Sequence, residues 1–337
     1  MKNNYTIIIT GGSGFIGTNL IELFVENKIY NIINIDKQKP FNIKQNKYWT
    51  KCNILNKPEL LKIFIQFEPT HVIHLAAKTD TASNKIEDYI DNTEGTANLI
   101  NIIEQTKSVR HAIITSTQYV YKSKDKPLPQ KDDEFLPHTT YGISKKITEE
   151  LVRSSNMKCA WTIIRPTNVW GPWHMRYPNE LWRIIDKRLY FHPQNADPIK
   201  SYAYVKNVAH QINKIIELPS EIVNNKVFYL GDSPINSIIW LNNFSKELTG
   251  KKVKIIPKFL FYIISLIGEF LRKCNISFPL NLLRYENMIS EYPTPMKKTI
   301  EILGLSHPDL NKNVKETIYW LKNEGNHFFN YWKKNKN

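Results

Sequence analysis

Acidic residues are in short supply: 31 Asp and Glu stand against 46 Lys and Arg in 337 residues, a formal net charge of +15 at pH 7. An excess of that kind admits nucleic acid, an acidic membrane surface or an anionic small substrate as partner. Dense basic blocks are missing, however. The lysines are scattered among Asn and Ile as on a solvated surface, so a nucleic-acid partner is not expected. Cysteine is scarcer still. Cys52, Cys159 and Cys274 are odd in number, far apart and without C-x-x-C spacing, which excludes a disulfide framework and suggests no zinc site. A reducing, cytoplasmic setting is expected. Long apolar runs are lacking too: the amino terminus has no apolar stretch of about 7–15 residues of the kind a secretory signal needs, so export is not expected. The most lipophilic segment, Phe259–Gly268, is short of the roughly 20 residues that a membrane span requires. It reads as a buried helix of a second domain, with a helix lying on a membrane surface as the alternative. Low-complexity tracts and internal repeats are absent, and 42% hydrophobic with 23% charged residues is ordinary globular composition.

What is present is an alternation. Short β-branched runs at Tyr5–Thr10, Ile32–Asp36, Val72–Ala76, Ala112–Ser116 and Trp161–Arg165 are separated by amphipathic stretches near 15–26, 58–67, 88–105 and 141–154. Continuous apolar strands alternating with helices predict a doubly wound α/β domain whose parallel sheet is covered on both faces. After Arg165-Pro166 the pattern loosens and becomes rich in Trp, Pro and His, then returns to strand character at Ser201–Val205 and Val227–Gly231. The expected division is therefore 1–170, rejoined by 201–231, and a smaller α/β unit from 171–200 and 232–330.

The first strand runs into Thr10-Gly11-Gly12-Ser13-Gly14-Phe15-Ile16-Gly17, with a helix starting near Phe15. Glycines spaced this way allow a tight turn and close approach of a pyrophosphate, and the helix start at Phe15 and Ile16 offers unpaired N–H groups and a positive dipole end. Asp36 closes the second strand 19 residues after Gly17, where a carboxylate can accept hydrogen bonds from ribose hydroxyls. That acid disfavours a 2′-phosphate and points to NAD, although Lys37 and Lys39 follow directly.

A second constellation begins at Tyr141. Thr139 or Thr140 caps a helix on which Tyr141 and Lys145 share one face, while Ile143, Ile147 and Leu151 form a stripe expected to be buried on the other. A lysine ammonium beside a phenol favours phenolate, which makes a general base for a hydroxyl proton.

Together these motifs resemble the extended short-chain dehydrogenase/reductase family, in particular its NAD-dependent nucleotide-sugar epimerases, dehydratases and reductases. The resemblance runs over nearly the whole chain: the glycine segment, Asp36, His74-Leu75-Ala76-Ala77, Asn92-Thr93-Glu94-Gly95-Thr96, Ser116-Thr117-Gln118-Tyr119-Val120-Tyr121, Tyr141-Gly142-Ile143-Ser144-Lys145 and Arg165-Pro166-Thr167-Asn168. It implies a Rossmann-like fold. It implies NAD contacts at Gly11, Gly14, Phe15, Ile16, Gly17, Asp36, Asn53, Ile54, Ala76 and Lys145. It also implies Tyr141, Lys145 and Thr117 as the catalytic set, with Ser116 left open beside Thr117, and substrate contacts at Asn168 and Thr117. A homodimer paired through 88–105 and 141–154 is implied as well.

The chain departs from the family in three places. Cys52-Asn53-Ile54 lacks the usual adenine-contacting acid, though an Asn carbonyl can still accept a hydrogen bond. Lys200-Ser201-Tyr202-Ala203-Tyr204-Val205 has a lysine where the family has an arginine, a point charge in place of a fork, so Arg176 or Arg183 is expected to help Lys200 hold the diphosphate. Gln118 and Tyr119 stand where 4,6-dehydratases carry an Asp-Glu pair.

The expected activity is that of an NAD-dependent nucleotide-sugar 4-epimerase or related C4 oxidoreductase. A 4-keto-sugar reductase is the main alternative; a 3β-hydroxysteroid dehydrogenase-like enzyme, which the apolar segment after Lys258 suggests, and a non-catalytic NAD-binding protein are others. No metal is implied, since His71 and His74 lie three apart on a strand and face opposite ways.

Overall fold

The computed structural model describes residues 5–27, 30–121, 127–274, 276, 278 and 280–334. Six strands and four helices alternate through the first half: β1 (Tyr5–Thr10), α1 (Phe15–Asn27), β2 (Tyr30–Asp36), β3 (Trp49–Lys51), α2 (Lys57–Phe67), β4 (His71–His74), α3 (Glu94–Gln105), β5 (His111–Thr115), α4 (Thr140–Arg153) and β6 (Ala160–Pro166). A seventh strand, Lys226–Leu230, joins them in one sheet of order Lys226–Leu230, β6, β5, β4, β1, β2, β3. Every neighbouring pair is parallel. This is the Rossmann-like arrangement, with the strand order reversing between β1 and β4.

The continuous apolar runs arise because both sheet faces are covered. Ile7 and Ile9 point into a core shared with Leu20 and Phe24 of α1 and Ile212 and Ile215 of helix Val205–Glu217. Ile8 points into the opposite core with Leu60 of α2 and Leu99 and Ile103 of α3. Val72/Ile73, Ala112/Ile113 and Ile163/Ile164 divide between the faces in the same way. A fully buried isoleucine contributes about 1.5–3 kcal/mol relative to an exposed one. Strand β3 has no such run; it is a three-residue edge that pairs only with β2, and its brevity hides it from pattern reading.

A third core is aromatic, holding Trp170, Trp182, Tyr202, Trp240, Phe244 and Trp320. Tyr202 and Trp240 lie parallel with centroids 4.6 Å apart. Short strand pairs stitch the surrounding segments: Asn168–Trp170 with Tyr202–Tyr204, Phe191–Pro193 with Lys254–Ile256, and Ile199–Lys200 with Ile235–Asn236.

Two expectations about faces are overturned. On α4 the buried positions are Tyr141, Gly142, Ser144, Lys145, Thr148, Glu149 and Val152; Ile143 is exposed, and Ile147 and Leu151 are half-buried. The polar side turns inward because partners wait there. Thr148 donates to Asn92 O at 2.8 Å, Asn92 Nδ2 donates to Ser144 Oγ at 2.9 Å, and Glu149 meets Arg165. The second concerns the lipophilic segment. It forms helix Lys258–Lys273, of which only Phe261, Ser265 and Gly268 are buried, because helix Leu282–Ile289 and the chain before it cover that one edge alone: Tyr285 packs 6.0 Å from the Phe261 ring, and a Cβ on Gly268 would collide with Leu280 O. Among the described residues no helix is long and apolar enough to cross a membrane.

Candidate active site

The four glycines after β1 do different jobs. Gly11 has φ +73°, and a Cβ there would sit 2.4 Å from Ala76 N; on Gly17 it would sit 2.5 Å from Gly12 Cα. On Gly12 it would meet Asn34 Oδ1 at 2.4 Å. These three let the turn pack against the end of β4, the start of α1 and β2. Only at Gly14 is a Cβ nearly free, its nearest neighbour being Gly11 O at 3.3 Å, so the open space of the turn lies there. Thr18 N–H donates to Gly14 O at 2.8 Å, and the N–H groups earlier in a helix lack an i−4 acceptor by construction.

That opening is one end of a cleft of about 820 Å³ along the carboxyl ends of the strands, where such sheets bind ligands at the reversal of strand order. Gly11, Gly14, Phe15, Ile16, Gly17, Asp36, Asn53, Ile54, Ala76, Thr117, Tyr141, Lys145, Asn168 and Arg176 all line it. Lys200 and Arg183 are not among its lining residues. Lys200 Nζ donates instead to Asn287 O, and burial lowers it to about 8. Arg183 is exposed on the short helix Arg183–Asp186.

Asp36 sits at the end of β2 with Oδ2 accepting from Ser13 N at 3.2 Å and Oδ1 from Gln38 N at 2.8 Å. Burial raises its pKa and these N–H donors oppose the rise. Lys37 also lines the cleft, its Nζ 2.7 Å from Asp91 Oδ2, and its charge likewise opposes the rise of Asp36. Asn53 Oδ1 accepts from Leu55 N at 3.1 Å.

Thr139 Oγ1 caps α4 by accepting from Gly142 N at 3.0 Å, which starts the helix so that Tyr141 and Lys145 face the cleft. The Thr117 hydroxyl reaches the Tyr141 phenol; the Ser116 hydroxyl is buried without a partner. Burial raises the Tyr141 pKa, and the Thr117 hydrogen bond only partly offsets it. The expected lowering of the phenol by Lys145 is not among the influences on Tyr141 in the free protein; burial brings the lysine itself to about 8 against a weaker opposing pull from Glu149. Its Nζ is buried and makes no hydrogen bond. His74 lies beneath, Nδ1 2.6 Å from Thr10 Oγ1 and Nε2 3.0 Å from Thr96 Oγ1. Since Thr96 donates to Asn92 O at 2.8 Å, it accepts from His74 Nε2, and Thr10 donates to Nδ1. Burial and the Lys145 charge hold His74 down at about 3, neutral.

At the far end Gln118 Nε2 donates to Asn168 Oδ1 at 3.0 Å and Asn168 Nδ2 to Ser201 O at 2.9 Å. Arg176 pairs with Glu180 at 3.3 Å. Sequence reasoning missed His174 and Tyr177, which also line the cleft. The His174 ring stands edge-on to Phe15 at 4.7 Å and stacks on Tyr177 at 4.3 Å, and burial lowers His174 to about 3. Their only signal was the aromatic richness of an otherwise patternless stretch. Among the described residues no group of three or more His, Cys, Asp or Glu is placed to hold a metal ion.

Comparison with known proteins bears on the family and the fold. The NAD dependent epimerase/dehydratase family matches residues 7–231. The chain is similar to a GDP-6-deoxy-D-talose 4-dehydrogenase of Aggregatibacter actinomycetemcomitans, 26% identical over 225 residues that cover 65% of this chain and 72% of that protein. It is also similar to the N-acetyl-alpha-D-glucosaminyl-diphospho-ditrans,octacis-undecaprenol 4-epimerase of Escherichia coli O157:H7, 27% identical over 272 residues, 79% of this chain and 78% of that one. Among solved structures, a UDP-glucuronic acid 4-epimerase from Bacillus cereus, in complex with UDP-glucuronic acid and NAD, shares the fold with a TM-score of 0.70 at 20% identity, covering 94% of this chain and 99% of that one.

Proposed function

Because the chain belongs to the NAD dependent epimerase/dehydratase family, we propose that it is an NAD-dependent nucleotide-sugar 4-epimerase or related C4 oxidoreductase. The observation that carries this reading is the convergence of Thr117, Tyr141 and Lys145 on the cleft that begins at Gly14. The buried, unpartnered Lys145 Nζ fits a cofactor whose ribose hydroxyls would accept from it, and the opening at Gly14 fits a pyrophosphate. NAD, when bound, supplies the nicotinamide that takes hydride from the sugar carbon and gives it back. Tyr141, as phenolate, takes the proton of the C4 hydroxyl; Thr117 donates to the reacting oxygen; and the Lys145 charge, held more firmly by such partners, favours the phenolate. In this reading 1–170 with 201–231 hold the cofactor, and 171–200 with 232–330 hold the sugar. The free cysteines support a reducing, cytoplasmic setting. The outward apolar positions Ile143 and Ile90 support pairing of two copies through 88–105 and 141–154.

Asp36 sets the cofactor choice. With the Lys37 charge shared with Asp91, a 2′-phosphate meets the Asp36 carboxylate without a free cation beside it. NADH is therefore expected to bind more tightly than NADPH by about tenfold or more, at least about 1.4 kcal/mol. Fluorescence titration with both dinucleotides measures this, and equal or tighter NADPH binding would remove Asp36 from that role.

The reaction type follows from Gln118 and Tyr119. Elimination of water across C5–C6 of a 4-keto sugar needs a titrating acid and base, whereas Gln118 does not titrate and donates to Asn168, and burial raises the Tyr119 phenol further from neutrality. Incubation with candidate nucleotide sugars and no added cofactor is expected to yield the C4-inverted sugar. Turnover only with stoichiometric NADH or NAD would make the enzyme a reductase or oxidase, and a 4-keto-6-deoxy product would defeat the Gln118 argument.

A further inference from the structure

Helix Lys258–Lys273 carries an apolar stripe that stays exposed among the described residues. Phe259, Ile263, Leu266, Ile267 and Phe270 recur at intervals of three and four, all exposed, with 64% of Phe259 and 66% of Phe270 open to solvent. No charged residue interrupts 259–268. The neighbouring Ile255 and Leu283 extend the patch, exposed by 59% and 65%. Apolar surface of this continuity marks an interaction site.

Its rim is cationic. Lys251, Lys252, Lys254 and Lys258 precede the stripe and Arg272 and Lys273 follow it, all exposed. The one acid in 251–273 is Glu269, and it is already paired with Arg272 at 2.5 Å. A second copy of the chain would be a poor occupant, since a two-fold contact through this face would set six cations against the same six. An anionic phospholipid surface complements both features, the stripe entering the headgroup boundary and the lysines meeting phosphates. The helix is about 24 Å long at about 1.5 Å per residue, enough to lie in that boundary and too short to span.

The patch is also linked to the cleft through the chain. Helix Leu282–Ile289, which packs against this one, leads to Tyr292, whose hydroxyl donates to Tyr121 O at 2.7 Å. The Tyr292 ring lies 5.8 Å from that of Tyr119, itself 6.3 Å from the ring of Tyr141. The chain that packs on the patch helix thus continues to a ring in contact with Tyr119, which lines the cleft.

We propose that this face docks the protein on an anionic phospholipid bilayer and, resting on the C4 reading above, that the sugar diphosphate it acts on is carried by a membrane-embedded lipid. The full-length protein is co-sedimented with vesicles of phosphatidylcholine alone and mixed with phosphatidylglycerol. Binding is expected to be about tenfold or more stronger to the mixed vesicles and to weaken as salt is raised. The double variant Phe259→Ser/Phe270→Ser, whose altered side chains are exposed and whose fold is checked by NADH titration, is expected to lose that binding by about tenfold. Unchanged binding in the variant, or none by the wild type, overturns docking. Light scattering, which also reads pairing through α3 and α4, overturns it if the variant alone becomes monomeric and the wild type ignores vesicles, for then a second copy covers the patch. The substrate clause is read separately with polyprenyl-diphospho-N-acetylglucosamine in the mixed vesicles against UDP-N-acetylglucosamine in solution. A kcat/KM about tenfold higher for the vesicle substrate, lost in the double variant, supports it; equal values overturn it. Vesicle binding with turnover of neither overturns the C4 reading and the substrate clause together, while docking stands.

Discussion

Tyr141→Phe is expected to lower turnover by about 10² or more while leaving the fold and NAD binding in place. The variant keeps the ring, which lies 6.1 Å from Tyr89 and 6.3 Å from Tyr119, and removes only the hydroxyl that meets Thr117. No cavity forms, so the loss reports chemistry and not packing. The same site has a pH signature. Burial brings Lys145 from an ordinary 10.5 to about 8, so below about 8 the folded free protein carries a charged, unpartnered ammonium in its interior. As pH rises from about 8 towards 10.5 the unfolded chain binds more protons than the folded one, and stability increases with pH. Compared with Lys145→Met, the wild-type free protein should therefore gain stability across that window, measured by urea unfolding, and bound NAD should flatten the gain by giving Nζ acceptors. Near-wild-type turnover in Tyr141→Phe would take the tyrosine out of the mechanism; parallel stability profiles for wild type and Lys145→Met would mean that the lysine is solvated.

Much of the sheet was legible because runs such as 7–9 and 112–114 are apolar on both sides, and only a doubly covered strand needs that. The shared face of Tyr141 and Lys145 was legible from spacing alone. Which side of α4 is buried was not. Periodicity assigns the inside to Ile143, Ile147 and Leu151, but the inward face is held by hydrogen bonds that join Thr148, Ser144 and Glu149 to residues 56, 52 and 16 positions away, and a short window along the chain contains none of those partners. The same blindness applies at Lys258–Lys273, where apolarity suggested burial and the fold supplies cover for three positions only. The glycine motif announced a tight turn, yet that Gly11 and Gly17 answer to the chain's own backbone while Gly14 faces the opening depends on distances across β4 and α1. Lys200 and Arg183 were chosen by resemblance, and their contacts with Asn287 and solvent come from tertiary packing that resemblance does not describe.

Arg165→Met is expected to cost about 3–5 kcal/mol of stability, enough to shift the folding equilibrium by about 10² to 10³ or more. Arg165 and Glu149 are both fully buried, with Nε to Oε1 at 2.8 Å and Nη2 to Oε2 at 2.8 Å. The guanidinium also donates to Tyr229 OH at 3.1 Å and to Asp132 O at 2.7 Å. Burial works against its charge, but Glu149 and Tyr229 outweigh burial and hold it more firmly protonated than a free arginine. Removing the arginine leaves the Glu149 carboxylate in the interior with Arg153 at 3.5 Å as its remaining salt-bridge partner and Lys145 one turn away on the same helix, and an under-compensated buried charge is far more costly than the pair itself is stabilising. The double variant Arg165→Met/Glu149→Leu removes both charges, so it should recover most of the loss and separate charge imbalance from packing. The pair also joins β6 to α4 one turn beyond Lys145, so the single variant should loosen the helix that presents Tyr141 and reduce turnover even where it remains folded. Urea midpoints for the three proteins, with unchanged m-values, test the first claim. A single variant within about 1 kcal/mol of wild type would show that water reaches Glu149. A double variant as unstable as the single would show that shape, and not charge, is what the pair provides.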